Sequence, residues 1–450
     1  MQITTEAARR FLVRRQLLAP ARTLTGGPKA VLEVFQQLGS IQFDPIAVAG
    51  RNHDLVLHAR VAEYDPAWCD LLYERRKVFE AYNKGLSLVA TAEFPWFRVA
   101  LSRSSQHVLA GNREVAERVL ERVRTEGPLS ALDFERKRGP TIDWFGAPTN
   151  VVRAVLEAYT ATGVLGLARR DGNRRYYDLL ERLLPRDVLE HRIPLAEQLR
   201  HKMLSRYRAH GLLGIGGGGD IFGGLGPAKP NPDLPGHPGR TALREELVGA
   251  GELVPVEVEG VRGKRFVLRD EVELLEAPPE PPASVAFLPP FDPLIWDRGL
   301  LAALFDFEYV WDLFFPESRR RFGWYVLPIL FRDRFVGRIE PRIIAANAPC
   351  RCSASGGREI SSRRGPTASS TPCARRLGHT SPLQARATST GRFTSTGRSG
   401  SSALAHRPGG HPHSLATVMR TFPTAPLSTA AWRRTRLRRQ DPRRRDAECG

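Results

Sequence analysis

Lysine is absent from the last 109 residues of this 450-residue chain, and cysteine is almost absent from the 341 before them. Of the five cysteines, Cys350, Cys352, Cys373 and Cys449 lie in the C-terminal stretch and only Cys69 lies in the body. No disulfide framework is implied, and a reducing compartment fits. No run of apolar residues is long enough for a transmembrane helix, so no membrane partner is expected. The first turns of the chain carry Arg9, Arg10, Arg14 and Arg15 and lack the apolar block and cleavage site of a signal peptide, which points to a cytoplasmic protein. The Gly-rich stretch at 212–220 has neither a Gly-Lys-Ser/Thr ending nor a preceding strand. It reads as a flexible turn, or as backbone that approaches DNA closely, and not as a nucleotide-phosphate loop. His411 and His413 with the nearby cysteines lack ligand spacing within a fold, so no metal and no cofactor are expected.

Charge is plentiful but unevenly placed. The formal net charge of +19 suggests nucleic acid. From Arg342 onward, however, there are 20 arginines and 4 acidic residues, and the preceding 341 residues hold 47 basic against 44 acidic ones. A DNA-binding face in the body is therefore a local patch. Beyond Arg342 hydrophobic periodicity also stops, and Ser, Thr, Arg, Pro, Gly and Ala dominate. Two readings of 342–450 stand: a disordered basic tail, or a GC-rich reading frame read out of register after a frameshift near 341–346. The break falls where β-structure should continue.

Along the body, periodicity and punctuation give an α+β chain of tandem winged helices followed by a small C-terminal β-domain, apparently truncated. The expected units are 1–110 (helical or winged helix), 111–190 (winged helix), 195–277 (a second winged-helix-like unit with Gly-rich and Pro-rich linkers), 283–341 (β-rich with an arginine hairpin) and the 342–450 tail. Residues 4–19 and 29–39 read as helices, the second ended by Gly39. Residues 75–82 read as helical or mixed. Residues 112–125 and 150–162 read as helices, the latter capped by Thr149, and 143–146 as a turn or short strand. Two strands then flank Asp171-Gly172-Asn173, a hairpin signal, with Arg169, Arg170 and Arg174 on it. A winged helix places a helix in the major groove and its wing on the backbone, although the same module also binds proteins. Residues 195–210 form a helix ending in Arg206-Tyr207-Arg208-Ala209-His210, of which Arg206, Arg208 and His210 are expected to touch DNA. A helix from Thr241 and a hairpin around Gly260 follow. Arg332, Arg334 and Arg338 decorate a last hairpin, which suits a DNA groove or is an ordinary surface turn.

The central stretch is Gln42-Phe43-Asp44-Pro45. Residues two apart on an extended chain face the same side, so Gln42 and Asp44 project together while Phe43 anchors. Pro45 biases Asp44 towards an extended conformation. A carboxylate there can take a proton from water or stabilise a developing cation, and the amide can orient that water. Asp-Pro is also an ordinary turn signal. Arg51, Asn52 and His53, just downstream, either support the site and touch DNA or make ordinary structural hydrogen bonds.

Taken together and in order, L-G-S-I-Q-F-D-P-I, R-N-H-D-L-V-L-H-A-R, F-E-A-Y-N-K, R-Y-R-A-H-G-L-L-G, F-L-P-P-F-D-P-L-I-W-D-R and W-Y-V-L-P-I-L-F-R-D-R-F-V-G-R-I-E-P resemble the YcaQ/AlkZ family of winged-helix DNA glycosylases, from about Thr5 to Pro341. The resemblance implies a C-shaped array of winged helices and excision of N-alkylated purines, including interstrand crosslinks, from double-stranded DNA by a monomer. The family motif of Gln, an apolar residue and then Gln or Asp falls on Gln42, Phe43 and Asp44, the Asp form being that of the YcaQ branch. Tyr82-Asn83-Lys84 stands where that branch has an aromatic-rich segment with a histidine. No Schiff-base lysine is implied, so a monofunctional enzyme is expected. The alternatives are a non-catalytic winged-helix DNA-binding protein and an inactive frameshift product.

Overall fold

The computed structural model describes residues 1–97, 103–134, 141–142, 148–216, 221–223, 225–230, 236–345 and 415–423. The sequence readings at 143–146, residues 217–220 of the Gly-rich stretch, the four tail cysteines, His411 and His413 lie outside the described residues.

A two-residue strand, β1 (Gln2–Ile3), leads into α1 (Thr5–Arg15), whose first turn is capped by Thr4 Oγ1 accepting from the Ala7 amide at 3.1 Å. Helix α2 (Pro28–Leu38) stops at Gly39, where φ is +71°. Strand β2 (Ile41–Gln42) follows at once, then α3 (Asn52–His58), α4 (Pro66–Glu74), and the strands β3 (Val78–Asn83) and β4 (Gly85–Ala90). These last two pair antiparallel in a three-stranded sheet of order β2-β4-β3. This corrects the helical or mixed reading of 75–82: from Val78 the segment is the first arm of a hairpin that turns at Lys84. Ala30, Val31, Val34, Phe35, Leu38, Val56, Leu57, Leu72 and Leu88 make the core beneath it.

Helices α5 (Arg103–Gly111) and α6 (Arg113–Glu126), the short strands β5 (Thr141–Ile142) and β6 (Pro148–Thr149), and helix α7 (Val151–Ala161) precede the hairpin of β7 (Leu165–Asp171) and β8 (Arg174–Leu179). The cap of α7 is Asn150, whose Oδ1 accepts from the Val152 and Arg153 amides, and not Thr149. Two short helices, α8 (Leu180–Leu183) and α9 (Arg186–Glu190), connect to α10 (Leu195–His210). Strand β9 (Leu213–Gly214), α11 (Arg240–Gly249), β10 (Leu253–Val258), β11 (Arg265–Leu268) and α12 (Val272–Glu276) complete the next unit. Gly239, not Thr241, occupies the N-cap of α11. Strand β1 pairs parallel with β10, so the N-terminus joins this later sheet, of order β1-β10-β11-β9. Helix α1 goes with it: Ala8, Phe11 and Leu12 share one core with Leu212, Val256, Val258 and Val267, and with Leu288, Leu301, Leu304 and Phe335 from the C-terminal unit.

That unit holds β12 (Val285–Phe287), α13 (Arg298–Phe305), β13 (Leu327–Phe331) and β14 (Arg334–Ala345). Strand β14 runs past the compositional break at 342. Its outer edge is covered within the described residues by β15 (Leu415–Pro423), antiparallel with Gly337 opposite Pro423 and Ala345 opposite Leu415. The tail thus supplies the strand that the composition did not foretell. The first and last units are fastened by a fully buried ion pair, Arg60 Nη1 to Asp292 Oδ2 at 2.8 Å and Nη2 to Oδ1 at 3.1 Å. Arg60 Nε also donates to the Gln16 carbonyl at 2.8 Å.

Candidate active site

Gln42 lies in β2, opposite Ser87 of β4. The ladder continues through Phe43, whose amide donates to the Leu86 carbonyl at 2.8 Å, and the chain then leaves the sheet at Asp44. The Asp44 Oδ1 accepts from the Ile46 amide at 2.7 Å, across Pro45, a turn that Asp favours because its short side chain reaches backbone two residues on. Asp44 is 7% exposed. Burial raises its pKa above the ordinary carboxylate value, and the Ile46 N–H offsets this only in part.

Six aspartates are buried among the described residues: Asp44, Asp54, Asp178, Asp292, Asp297 and Asp312. Asp54 holds Arg51, Asp178 holds Arg182, Asp292 holds Arg60 and Asp297 holds Arg265. Asp312 accepts from two backbone amides, those of Arg321 and Phe322. Asp44 alone of the six has one neutral N–H on one oxygen, and no cation within ion-pair distance among the described residues. A buried carboxylate left this way costs stability, and such groups are concentrated where chemistry needs them.

The surroundings come from distant parts of the chain. Asn52 Nδ2 donates to the Gln42 carbonyl at 2.8 Å, and its Oδ1 accepts from the Phe291 amide at 3.3 Å. Ile46 and Val48, on the loop after Asp44, pack with Leu55, Tyr325, Leu327 and Ile339. Tyr325 is buried, and its phenol is held above its usual range by that burial and then by the Asp44 charge. From the other side, Asn173 at the tip of the β7–β8 hairpin donates to the Pro45 carbonyl at 3.4 Å. Arg170 stacks on Phe43 with 3.9 Å from its Cζ to the ring centre, and forks onto Glu80. Lys84 Nζ donates to Gln42 Oε1 at 3.3 Å and lies 5.1 Å from the Trp296 ring centre.

The sequence-expected residues sort into three groups. Gln42, Asp44, Arg51, Asn52, His53 and Arg170 gather around one loop. Within this group Arg51 grips Asp54 and Asp70, and those pairs outweigh burial to raise its pKa. His53 is buried, stacked on Phe43 at 5.6 Å, and pushed down to about 4 by desolvation, so it is neutral. Arg169, Arg174, Arg332 and Arg334 lie at hairpin surfaces. Arg169 stacks on Tyr176, Arg174 pairs with Asp133 at 2.6 Å, and Arg332 pairs with Glu280 at 3.0 Å. Arg208 is half-buried.

At five of the positions expected to touch DNA the structure holds the side chains buried in internal contacts. Asn52 and His53 brace the site loop. Arg206 is fully buried, donates to Asn83 Oδ1 and the Gly223 carbonyl, and is lowered to about 9 by burial. His210 is enclosed, with its pKa lowered to about 4. Arg338 is sandwiched between the Phe307 and Phe322 rings. Sequence reasoning missed Lys84 as a member of the site, although its place after Asn83 and before a glycine marked a tight turn. It also missed Tyr325 and Trp296, for which no local signal existed.

Two comparisons bear on this arrangement. The family described as DNA glycosylase AlkZ-like matches residues 35–347. The solved structure of Streptomyces sahachiroi DNA glycosylase AlkZ superposes with a TM-score of 0.50 at 19% identity, covering 76% of this chain and 88% of that one. That second likeness concerns the fold. The family match spans most of the chain and includes every element that builds the Asp44 site, and on that ground the chain belongs to the AlkZ-like DNA glycosylase family.

Proposed function

We propose that this DNA glycosylase hydrolyses the N-glycosidic bond of N-alkylated purines of the N7-alkylguanine type in double-stranded DNA, with Asp44 and Gln42 at the reacting centre. The observation that carries the reading is the 7% exposed Asp44 carboxylate, two residues after Gln42, which no cation among the described residues pairs with. An N7-alkylated purine is already cationic, so it departs with the bonding electron pair as a neutral base and needs no strong acid. What remains is to stabilise positive charge on the sugar and to direct water at C1′. An ionised Asp44 supports both: its charge faces the oxocarbenium character, and its free oxygen takes a proton from the attacking water. Its raised pKa makes it a better base once ionised. Interstrand crosslinks through the same nitrogen fall within the same chemistry.

We assign the reaction to water alone, which makes the enzyme monofunctional. The test is product analysis on a duplex carrying one N7-methylguanine. Release of free 7-methylguanine, leaving an intact abasic strand, is expected. Strand scission at the abasic site during the reaction would rule out the monofunctional form, and binding of the duplex without base release would leave a non-catalytic DNA-binding protein.

A further inference from the structure

The turn of the β3–β4 hairpin faces the Gln42 side chain. Asn83 and Gly85 pair across this turn and leave Lys84 at its apex. Gly85 has φ +69°, and a Cβ there would lie 3.1 Å from Gln42 Nε2. The glycine thus supplies both the left-handed backbone and the space for the amide. Lys84 Nζ supplies a donor to the other end of the same amide, 3.3 Å from Oε1. The ammonium is flanked by two aromatic faces from the 291–296 stretch, at 5.9 Å from the Phe291 ring centre and 5.1 Å from that of Trp296. Such faces favour a cation between them. Trp296 is itself fixed by donating Nε1–H to the Phe291 carbonyl at 3.0 Å.

The turn is also held from below. Arg206 donates to Asn83 Oδ1, and Asn83 Nδ2 donates to Ser40 Oγ at 2.9 Å. Ser40 and Asn83 stand near the two residues that meet, Gln42 and Lys84, so one buried arginine ties both arms together. The main chain of Gln42 is fixed by β4 and by Asn52. What is left to set is which end of the Gln42 amide is offered to a substrate.

We propose that Lys84 is the positioning residue for Gln42: its ammonium holds Oε1, so that the amide presents its N–H groups to the attacking water. This rests on the reading of Gln42 and Asp44 as the reacting pair. In the hydrolytic step the water oxygen bonds C1′ as the bond from C1′ to the base nitrogen breaks. Asp44 receives one water proton, and Gln42 Nε2 donates to a lone pair of the water oxygen that is not attacking. A Gln42 with its carbonyl turned to the water would compete with Asp44 for the proton and would not fix the oxygen.

The experiment is single-turnover base release from the N7-methylguanine duplex by the full chain, with Lys84→Met, Lys84→Arg, Gln42→Ala and the Lys84→Met/Gln42→Ala double variant. Methionine keeps a stem over the aromatic faces and removes the donor. The expected result is a rate constant at saturating enzyme lowered by up to about a hundredfold in Lys84→Met. Duplex affinity should be unchanged, recovery in Lys84→Arg partial, and the added loss on top of Gln42→Ala absent. An unchanged Lys84→Met rate, or a loss confined to affinity, would overturn the inference while leaving Asp44 in place. So would a borohydride-trapped covalent adduct that Lys84→Met abolishes, since Lys84 would then be an amine nucleophile. A second readout does not need activity. In chain labelled with ¹⁵N-glutamine, the Gln42 side-chain amide signals, identified by their loss in Gln42→Ala, should move in Lys84→Met. If they stay put, the contact does not exist in solution. A parent chain that releases no base would instead remove the reading on which the inference rests.

Discussion

The chain contains Phe-Asp-Pro followed by an aliphatic residue twice, at 43–46 and at 291–294, and the two copies end up with different chemistry. Both aspartates are buried, and both use Oδ1 to accept the amide two residues on: Ile46 at 2.7 Å and Leu294 at 3.1 Å. The local turn is the same because the local sequence is the same. The second oxygen decides the difference. In Asp292 it meets Arg60, reached across 232 positions, and the carboxylate becomes half of a buried clasp between the first and last units. In Asp44 no cation among the described residues arrives, and one carboxylate oxygen is left without a partner among them. Burial of a charge is structural when the partner is supplied and chemical when it is withheld.

Four effects, from three substitutions, break or sharpen that contrast. The largest effect is expected from Asp44→Asn, which keeps shape and removes the base. Base release should fall about 100- to 10,000-fold, with circular dichroism and duplex affinity unchanged. Next, Arg60→Met leaves Asp292 buried without its partner, and denaturant melts should show a loss of about 3–5 kcal/mol. If that loss is absent, the clasp is not what distinguishes the two aspartates. Third, Gly85→Ala forces a side chain into a left-handed position and against the Gln42 amide, which should cost about 1–2 kcal/mol and slow base release at equal folded fraction. The smallest effect is a gain. Asp44→Asn removes a disfavoured buried charge and should raise stability at neutral pH by about 1 kcal/mol.

The pH dependence follows from the same carboxyl group. Its folded pKa is raised, so the folded protein holds the proton more tightly than the unfolded chain. Asp44 therefore favours folding in acid, and that contribution is lost as pH rises from the ordinary carboxylate value through the raised one. The stability difference between parent and Asp44→Asn should open across that window. Base release needs the ionised form, so its acidic limb should be shifted upward from the ordinary Asp value and should be missing from the residual activity of Asp44→Asn.

Much of the architecture was written locally. Helix α10 runs over the residues its periodicity marked, and Asp171-Gly172-Asn173 turns the β7–β8 hairpin as such a tripeptide should. Gln42, Phe43 and Asp44 were legible because strand alternation and Asp-Pro chemistry are properties of neighbours. What was hidden depended on distant partners. Residues 78–83 mix Glu, Ala and Asn with apolar residues, and they become a strand because Glu80 is covered by Arg170 and the hairpin closes on β2. Arg206 and His210 carry the charge of surface residues, yet they are enclosed, Arg206 because Asn83 and Gly223 satisfy its guanidinium. A composition-based view of 342–450 gave no sign of β15, whose pairing is with a strand about eighty residues away.

The most direct measurement is single-turnover release of 7-methylguanine from a duplex by the parent chain and by Asp44→Asn, with the folded fraction of each matched by melting. The expected result is release by the parent and at least a hundredfold loss in Asp44→Asn, with the variant as stable as the parent or more so. Equal rates in the two proteins would contradict the assignment of the unpaired carboxylate as the reacting group.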